Sequence, residues 1–318
     1  MLKQKVKELP QTPGVYLMKD YQNQVIYVGK AKRLKDRVSS YFQKNNQHSK
    51  KVLRMVHNIY DFEVILVDTE LDALLLECQL IQSYHPMYNR QMNQSLNYLY
   101  LTYDQQVFEL THDKKQKSYG PFKNYKQLPE VLTTIKETYQ LAGIEKITQL
   151  IVDAQLPEIK NLTIEEKDSE IRGLLSGENQ VILEYLKKRQ AYCIQQMNFE
   201  YAQKLQLAIE QMSLFIYLIT QQKEALCSKK LLLSLPINSE ETKHYFIYFG
   251  KIVDEKITSS KVKPDFSDET KKKPSLPTSL RKSQVDPLFI LANYIKKVVA
   301  GKIEGSVTWE TEKRTDKN

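Results

Sequence analysis

Pro13-Gly14-Val15-Tyr16-Leu17-Met18, a polar turn around Asp20 and Asn23, then Val25-Ile26-Tyr27-Val28-Gly29 and a basic run to Phe42: the fold is read from this stretch. Two short β-rich runs around turn residues predict a hairpin. Each run carries one tyrosine, Tyr16 and Tyr27, and Gly29 closes the second as a structural residue. The basic run that follows predicts a helix. Ala31, Leu34, Val38 and Phe42 recur at helical spacing and form a buried stripe. Lys30, Arg33, Arg37 and Tyr41 recur at the same spacing on another face. Two phenols beside a row of cations suit phosphate chemistry. A phenol positions or accepts a proton, and a guanidinium binds two phosphate oxygens with one fork of donors. Strand tyrosines also serve as packing residues, and basic helix faces are often only solvated. The combination is what points to a site.

Composition narrows the classes. At 318 residues the chain is long enough for two or three domains with their own cores. Its 41% hydrophobic and 27% charged residues are ordinary for a soluble globular protein. No apolar run approaches a membrane span, and the basic start Met1 to Glu8 has no apolar core after it, so no signal peptide is expected. Cys78, Cys193 and Cys227 lie far apart, which suits a reducing cytoplasm and excludes a four-cysteine metal site. Residues 1–60 hold thirteen Lys or Arg and three acids, a net +10 against +9 for the whole chain. Such a local excess attracts polyanions, with DNA or RNA the leading candidates. An anionic membrane is the rival, but no amphipathic anchor accompanies the charge.

Further along, Val52, Met55, Val56 and Ile59 predict a helix, and Phe62 to Val67 a third strand. Asp68 or Thr69 is placed to cap a helix from about Glu70 to Tyr84. On that helix Leu74, Glu77, Leu80 and Ile81 share a face. A carboxylate amid apolar neighbours needs an offset: a metal ion, a nearby arginine, or a place at the rim of the stripe. Asn97 to Asp104 and Val107 to Leu110 read as a second hairpin, and Leu128 to Leu141 as a helix. Two helical runs follow, Val181 to Gln196 and Phe199 to Gln221. Residues 231–235 pair with 244–249, residues 259–286 read as a flexible Lys/Pro/Ser segment, and a helix over Leu288 to Ala300 precedes a strand near Ile303 to Trp309.

Gly14-Val15-Tyr16 and Tyr27-Val28-Gly29 resemble the paired signature of the GIY-YIG nucleases. Thr12 to Tyr16 and Ile26 to Leu34 resemble one branch, the UvrC family of bacterial excision-repair nucleases. Leu76-Glu77-Cys78-Gln79-Leu80-Ile81 with Tyr84-His85-Pro86-Met87-Tyr88-Asn89, and Ser118-Tyr119-Gly120-Pro121-Phe122, resemble later UvrC elements. Asn198-Phe199-Glu200-Tyr201-Ala202 with Leu205 resembles the UVR motif, a helical hairpin by which UvrC contacts UvrB; an ordinary antiparallel helix pair is the alternative. Residues 142–180 hold no cysteine where long UvrC proteins carry an iron–sulfur segment, so no cluster is expected. No ribonuclease-H-like constellation or helix-hairpin-helix pair is legible, so the outline resembles the short, Cho-type members.

The resemblance implies an α+β fold. A GIY-YIG nuclease domain occupies 1–95, a hairpin and helical linker 96–179, a UVR-like helical hairpin 180–222, and a β-rich region 223–318. It implies a metal-dependent endodeoxyribonuclease that cuts on the 3′ side of a lesion in double-stranded DNA bound by a UvrB-type protein. Tyr27 is then the base or relay, Tyr16 the orienting phenol, Arg37 the phosphate ligand and Glu77 the ligand of magnesium or manganese. Lys30, Lys32 and Arg33 grip the flanking backbone, Tyr41 contacts a phosphate, and Asn89 buttresses. The competing readings are a non-catalytic adaptor for UvrB and DNA, and a UvrB-independent structure-specific nuclease.

Overall fold

Asp20 sets the hairpin. Its side chain accepts the N–H groups of Gln22 and Gln24, both at 2.9 Å, and Asn23 takes a left-handed φ of 63°. The computed structural model describes residues 2–43, 49–89, 98–123, 127–227, 230–260, 262, 264 and 280–309. Helix α1 (Leu2–Lys7) precedes strands β1 (Gly14–Lys19) and β2 (Val25–Ala31), then α2 (Leu34–Phe42), α3 (Lys50–His57), β3 (Asp61–Leu66) and α4 (Glu70–Tyr84). The sheet order is β2-β1-β3, all antiparallel, so β1 is central and β2 is an edge. Alternation along β1 sends Tyr16 and Met18 into a core with Leu34, Val38 and Met55, and Val15 and Leu17 into another with Ala73 and Ile81 of α4. Thr69 and Asp72 form a capping box at the start of α4.

The basic helix starts later than its periodicity suggests. Lys30 and Ala31 remain in β2, paired with Val15 and Gly14. The reason is local: the N–H groups of Leu34 and Lys35 donate to the carbonyls of Thr12 and Pro10, both at 3.1 Å, so the preceding segment satisfies the first helical donors. Residues 44–48, which follow the basic helix, lie outside the described residues, as does Asn97, the first residue of the second predicted hairpin.

Residues Leu96–Glu224 with Pro277–Arg281 make one compact unit; Met1–Ser95, Ala225–Leu276 and Lys282–Asn318 make the other. The first of these contains β4 (Tyr98–Asp104), β5 (Val107–Thr111) and β6 (Tyr119–Lys123) in the order β5-β4-β6. Helices α5 (Leu128–Tyr139), α6 (Lys146–Gln155), α7 (Ile164–Leu175), α8 (Val181–Gln195) and α9 (Phe199–Cys227) follow. Leu101, Ile135, Leu156, Leu186 and Met212 belong to one continuous core. Segments 96–179 and 180–222, read separately from sequence, thus share their interior.

The C-terminal region also differs from its reading as an independent segment. It contains β7 (Leu231–Pro236), β8 (Glu241–Tyr248), β9 (Lys251–Ser259), α10 (Lys282–Val299) and β10 (Ser306–Trp309), with sheet order β10-β7-β8-β9. Leu231, Leu233 and Leu235 alternate toward a core that includes Leu291 and Val298 of α10 and Leu71 of α4. Helix α4 is therefore apolar on two sides, one for each sheet. Most of the segment expected to be flexible, 265–279, and the charged tail after 309 lie outside the described residues. No helix among the described residues is long and apolar enough to cross a membrane.

Lys243 ties the C-terminal sheet to the start of α4. Its ammonium lies 2.9 Å from Asp68, 3.0 Å from Asp72 and 2.9 Å from Glu255, and the Tyr245 hydroxyl donates to Asp72 at 2.9 Å. Burial opposes the lysine's charge, but Glu255, Asp68 and Asp72 outweigh it and hold its pKa well above the ordinary value. Lys243→Ala strands the nearly buried Asp72 carboxylate. The expected loss is about 3 kcal/mol, the low end for a broken buried pair because Asp68 and Glu255 reach solvent. A lowered urea midpoint at unchanged slope checks it.

Candidate active site

Tyr16 sits opposite Gly29 in the β1–β2 ladder. A Cβ on Gly29 would lie 2.3 Å from the Tyr16 hydroxyl oxygen, so only glycine lets this ring lie across β2. The Tyr16 and Tyr41 hydroxyls are hydrogen-bonded at 2.9 Å. Rings of Tyr16, Tyr27 and Tyr41 form a triangle with centroid separations of 6.1, 5.9 and 6.3 Å. Tyr41 shares its spacing with the cations Arg33 and Arg37, yet only 5% of it is exposed. It follows Val38 by three residues on α2, which turns it toward the hairpin. Arg37 lies one turn earlier, its guanidinium carbon 5.1 Å from the centre of the Tyr41 ring, and the phenols Tyr16, Tyr41 and Tyr27 favour its charge.

An edge strand leaves peptide groups unpaired on its outer side. On β2 those of Val28 and Lys30 are taken by side chains. Asn89 accepts the Val28 N–H and donates to the Val28 carbonyl, both at 2.9 Å. Glu77 Oε1 accepts the Lys30 N–H at 3.1 Å. Asn89 and Glu77 therefore fix the strand that carries Tyr27. No other hydrogen bond or ion pair to Glu77 is made among the described residues.

Burial governs the electrostatics. It raises the pKa of Tyr16 well above the usual phenol value, with Tyr27 and Tyr41 adding to the rise. Tyr27 is raised by burial, then by Tyr41 and Glu77, and lowered by Arg37. Glu77 is raised by burial and only partly restored by the Lys30 N–H, the Lys30 ammonium and Arg37. Tyr16, Tyr27, Arg37 and Glu77, separated by up to sixty-one residues in sequence, thus act on one another in one place.

The flanking cations have internal partners. Lys30 Nζ lies 3.0 Å from Glu70 Oε1 and Lys32 Nζ 2.8 Å from Glu70 Oε2. Arg33 caps α2 and pairs with Asp36 at 3.4 Å on the surface. Glu70 escaped the sequence reading. Its signal was its spacing, two helical turns before Glu77 on the same face.

A divalent cation fits this donor set. No group of three or more His, Cys, Asp or Glu side chains suited to a metal occurs among the described residues. Glu77 nevertheless offers a half-satisfied carboxylate whose charge is penalised by burial. A hard cation accepts one protein oxygen and completes its sphere with water and phosphate oxygens. The cluster as a whole can hold a phosphodiester between guanidinium and phenols, with a carboxylate beside it.

Residues 12–90 match the model of the UvrC-like GIY-YIG domain. Over 225 residues the chain is 35% identical to the UvrABC system protein C of Clostridium tetani, covering 63% of this chain and 36% of that protein. It is likewise 35% identical to the UvrABC system protein C of Clostridioides difficile, covering 63% and 37%. The chain thus spans little more than a third of the length of the curated relatives it matches. The solved GIY-YIG N-terminal endonuclease domain of UvrC from Thermotoga maritima, bound to its catalytic divalent cation magnesium, is 40% identical; the match covers 28% of this chain and 94% of that one, with a TM-score of 0.26.

Proposed function

We propose, from the premise that residues 12–90 are a UvrC-type GIY-YIG domain, that this chain is a metal-dependent DNA endonuclease of nucleotide excision repair. It cuts one strand on the 3′ side of a lesion in duplex DNA bound by a UvrB-type protein, in the cytoplasm. The placement of Tyr16, Tyr27, Arg37 and Glu77 around β2 carries this reading: the phenols ring one another, Arg37 lies over the Tyr41 ring, and Glu77 bonds the Lys30 N–H.

In this scheme Arg37 binds the scissile phosphate as charge builds on its oxygens. Tyr27 hydrogen-bonds the attacking water. Its raised pKa keeps it protonated at neutral pH, so it acts as a relay rather than a free phenolate. Tyr16 and Tyr41, bonded to each other, orient the guanidinium and the phosphate. Asn89 keeps β2, and hence Tyr27, in place. Glu77 would hold a magnesium or manganese ion, which when bound would supply Lewis-acid stabilisation of the phosphate and the leaving 3′ oxygen. UvrB contact is assigned to residues 180–222, where Ile194, Met197 and Phe199 are exposed around the turn between α8 and α9.

Mapping the cut on a lesion-bearing duplex in magnesium, with and without UvrB, tests the reading. One nick 3′ to the lesion that requires UvrB is expected. A nick indifferent to UvrB identifies a structure-specific nuclease, and binding without cleavage identifies an adaptor.

A further inference from the structure

Glu70 is the residue the scheme above leaves unused, and its geometry is specific. One carboxylate oxygen meets Lys30 Nζ at 3.0 Å and the other meets Lys32 Nζ at 2.8 Å. Two cations bridged by two oxygens of one anion is also the arrangement in which a pair of lysines would hold the non-bridging oxygens of a backbone phosphate. The Glu70 side chain is 18% exposed, that of Lys30 30% and that of Lys32 68%, so Lys32 opens this ion pair to solvent while Lys30 is half-buried beside the carboxylate. Lys32 and Lys30 outweigh burial and hold Glu70 below the usual carboxylate range, so it stays ionised at neutral pH. Lys30 also joins two of the carboxylates of α4: its N–H goes to Glu77 and its ammonium to Glu70.

We infer that Glu70 is a specificity-determining residue: it occupies the Lys30–Lys32 phosphate seat in the DNA-free protein and must be displaced by a backbone phosphate. The inference rests on the proposed DNA-cleaving role of this site. Its physical basis is charge balance. Glu70 already balances Lys30 and Lys32, and Arg37 acts on Glu77, so within the basic N-terminal region these two lysines add little net attraction for a passing phosphate until Glu70 is displaced. Random duplex gains little by exchanging a carboxylate for a phosphate. Duplex already held in register by a partner pays no further loss of translational freedom and makes the exchange.

The test is fluorescence anisotropy with a labelled, undamaged duplex in EDTA, over a salt series from about 50 to 200 mM. Glu70→Gln, Glu70→Asp and the double variant Lys30→Ala/Lys32→Ala are compared with the unaltered chain. Glu70→Gln is expected to bind roughly tenfold tighter at the low-salt end, with a log–log slope steeper by up to about 1.8, the signature of two newly released cations. Glu70→Asp keeps the charge and is expected to retain the original slope. Equal or weaker binding by Glu70→Gln overturns the inference, because Glu70 would then organise the lysines for DNA. In that event, weaker binding by the double lysine variant leaves the DNA-binding reading standing. If that variant also matches the unaltered chain, the phosphate role of Lys30 and Lys32 falls too.

Discussion

Glu77→Gln is expected to abolish the proposed metal-dependent strand cleavage, by on the order of 10³-fold or more, without unfolding the protein. Glutamine keeps the oxygen that accepts the Lys30 N–H, so the tie between α4 and β2 survives. What disappears is the negative charge that a cation needs. The same change is expected to raise the thermal midpoint of the metal-free protein at neutral pH. Burial pushes the Glu77 carboxyl above its ordinary value, so in the folded state its ionised form is disfavoured. As pH falls through that raised value, the native state takes up a proton before the unfolded chain does. Stability of the metal-free wild type therefore increases on acidification in this window, and the glutamine variant lacks the effect. The proposed metal binding is expected to run in the opposite direction, since the ligand must be deprotonated, and to be lost in the same window. Thermal melts across pH with and without manganese, beside a nicking assay, read all of these.

Arg37→Ala has the second largest effect. The guanidinium lies 5.1 Å from the centre of the Tyr41 ring, whose hydroxyl bonds that of Tyr16, where a charge is directed rather than merely present. Its proposed partner is the charge that develops on the phosphate during displacement. A group acting on developing charge affects kcat more than KM, and the expected loss is about 10²–10³ in kcat with KM changed severalfold at most. Arg37→Lys recovers little, because an ammonium provides neither the planar fork nor the stacking on Tyr41. Steady-state nicking kinetics of both variants check this. A rise in KM at constant kcat would make Arg37 an ordinary backbone contact.

Much of the N-terminal fold was legible because its signals are short in range. Tyrosines at hairpin spacing, turn residues at Asp20 and Asn23, and a cap at Thr69 each act within a few residues. Glu77 was legible as a carboxylate out of place on an apolar helix. What escaped depends on neighbours far away in sequence. Helix α4 carries a second apolar face, Leu71, Leu74 and Leu75, which reads as part of one stripe until the sheet of Leu231 to Trp309 is seen against it. Lys243 meets Asp68 and Asp72 across more than 170 residues, and no local pattern marks that ion cluster. Lys30 looked helical because a charge every three or four residues is helical spacing, yet β-ladder pairing claimed it. Tyr41 shared that spacing and read as one more member of the cationic face, yet its ring completes a triangle whose other two corners come from the hairpin.

A manganese titration followed by loss of the free-ion EPR signal tests the heart of the matter most directly. The unaltered chain should take up a single ion that magnesium displaces, and Glu77→Gln should take up none. Equal manganese uptake by both proteins would place the metal elsewhere and remove Glu77 from the centre of the site.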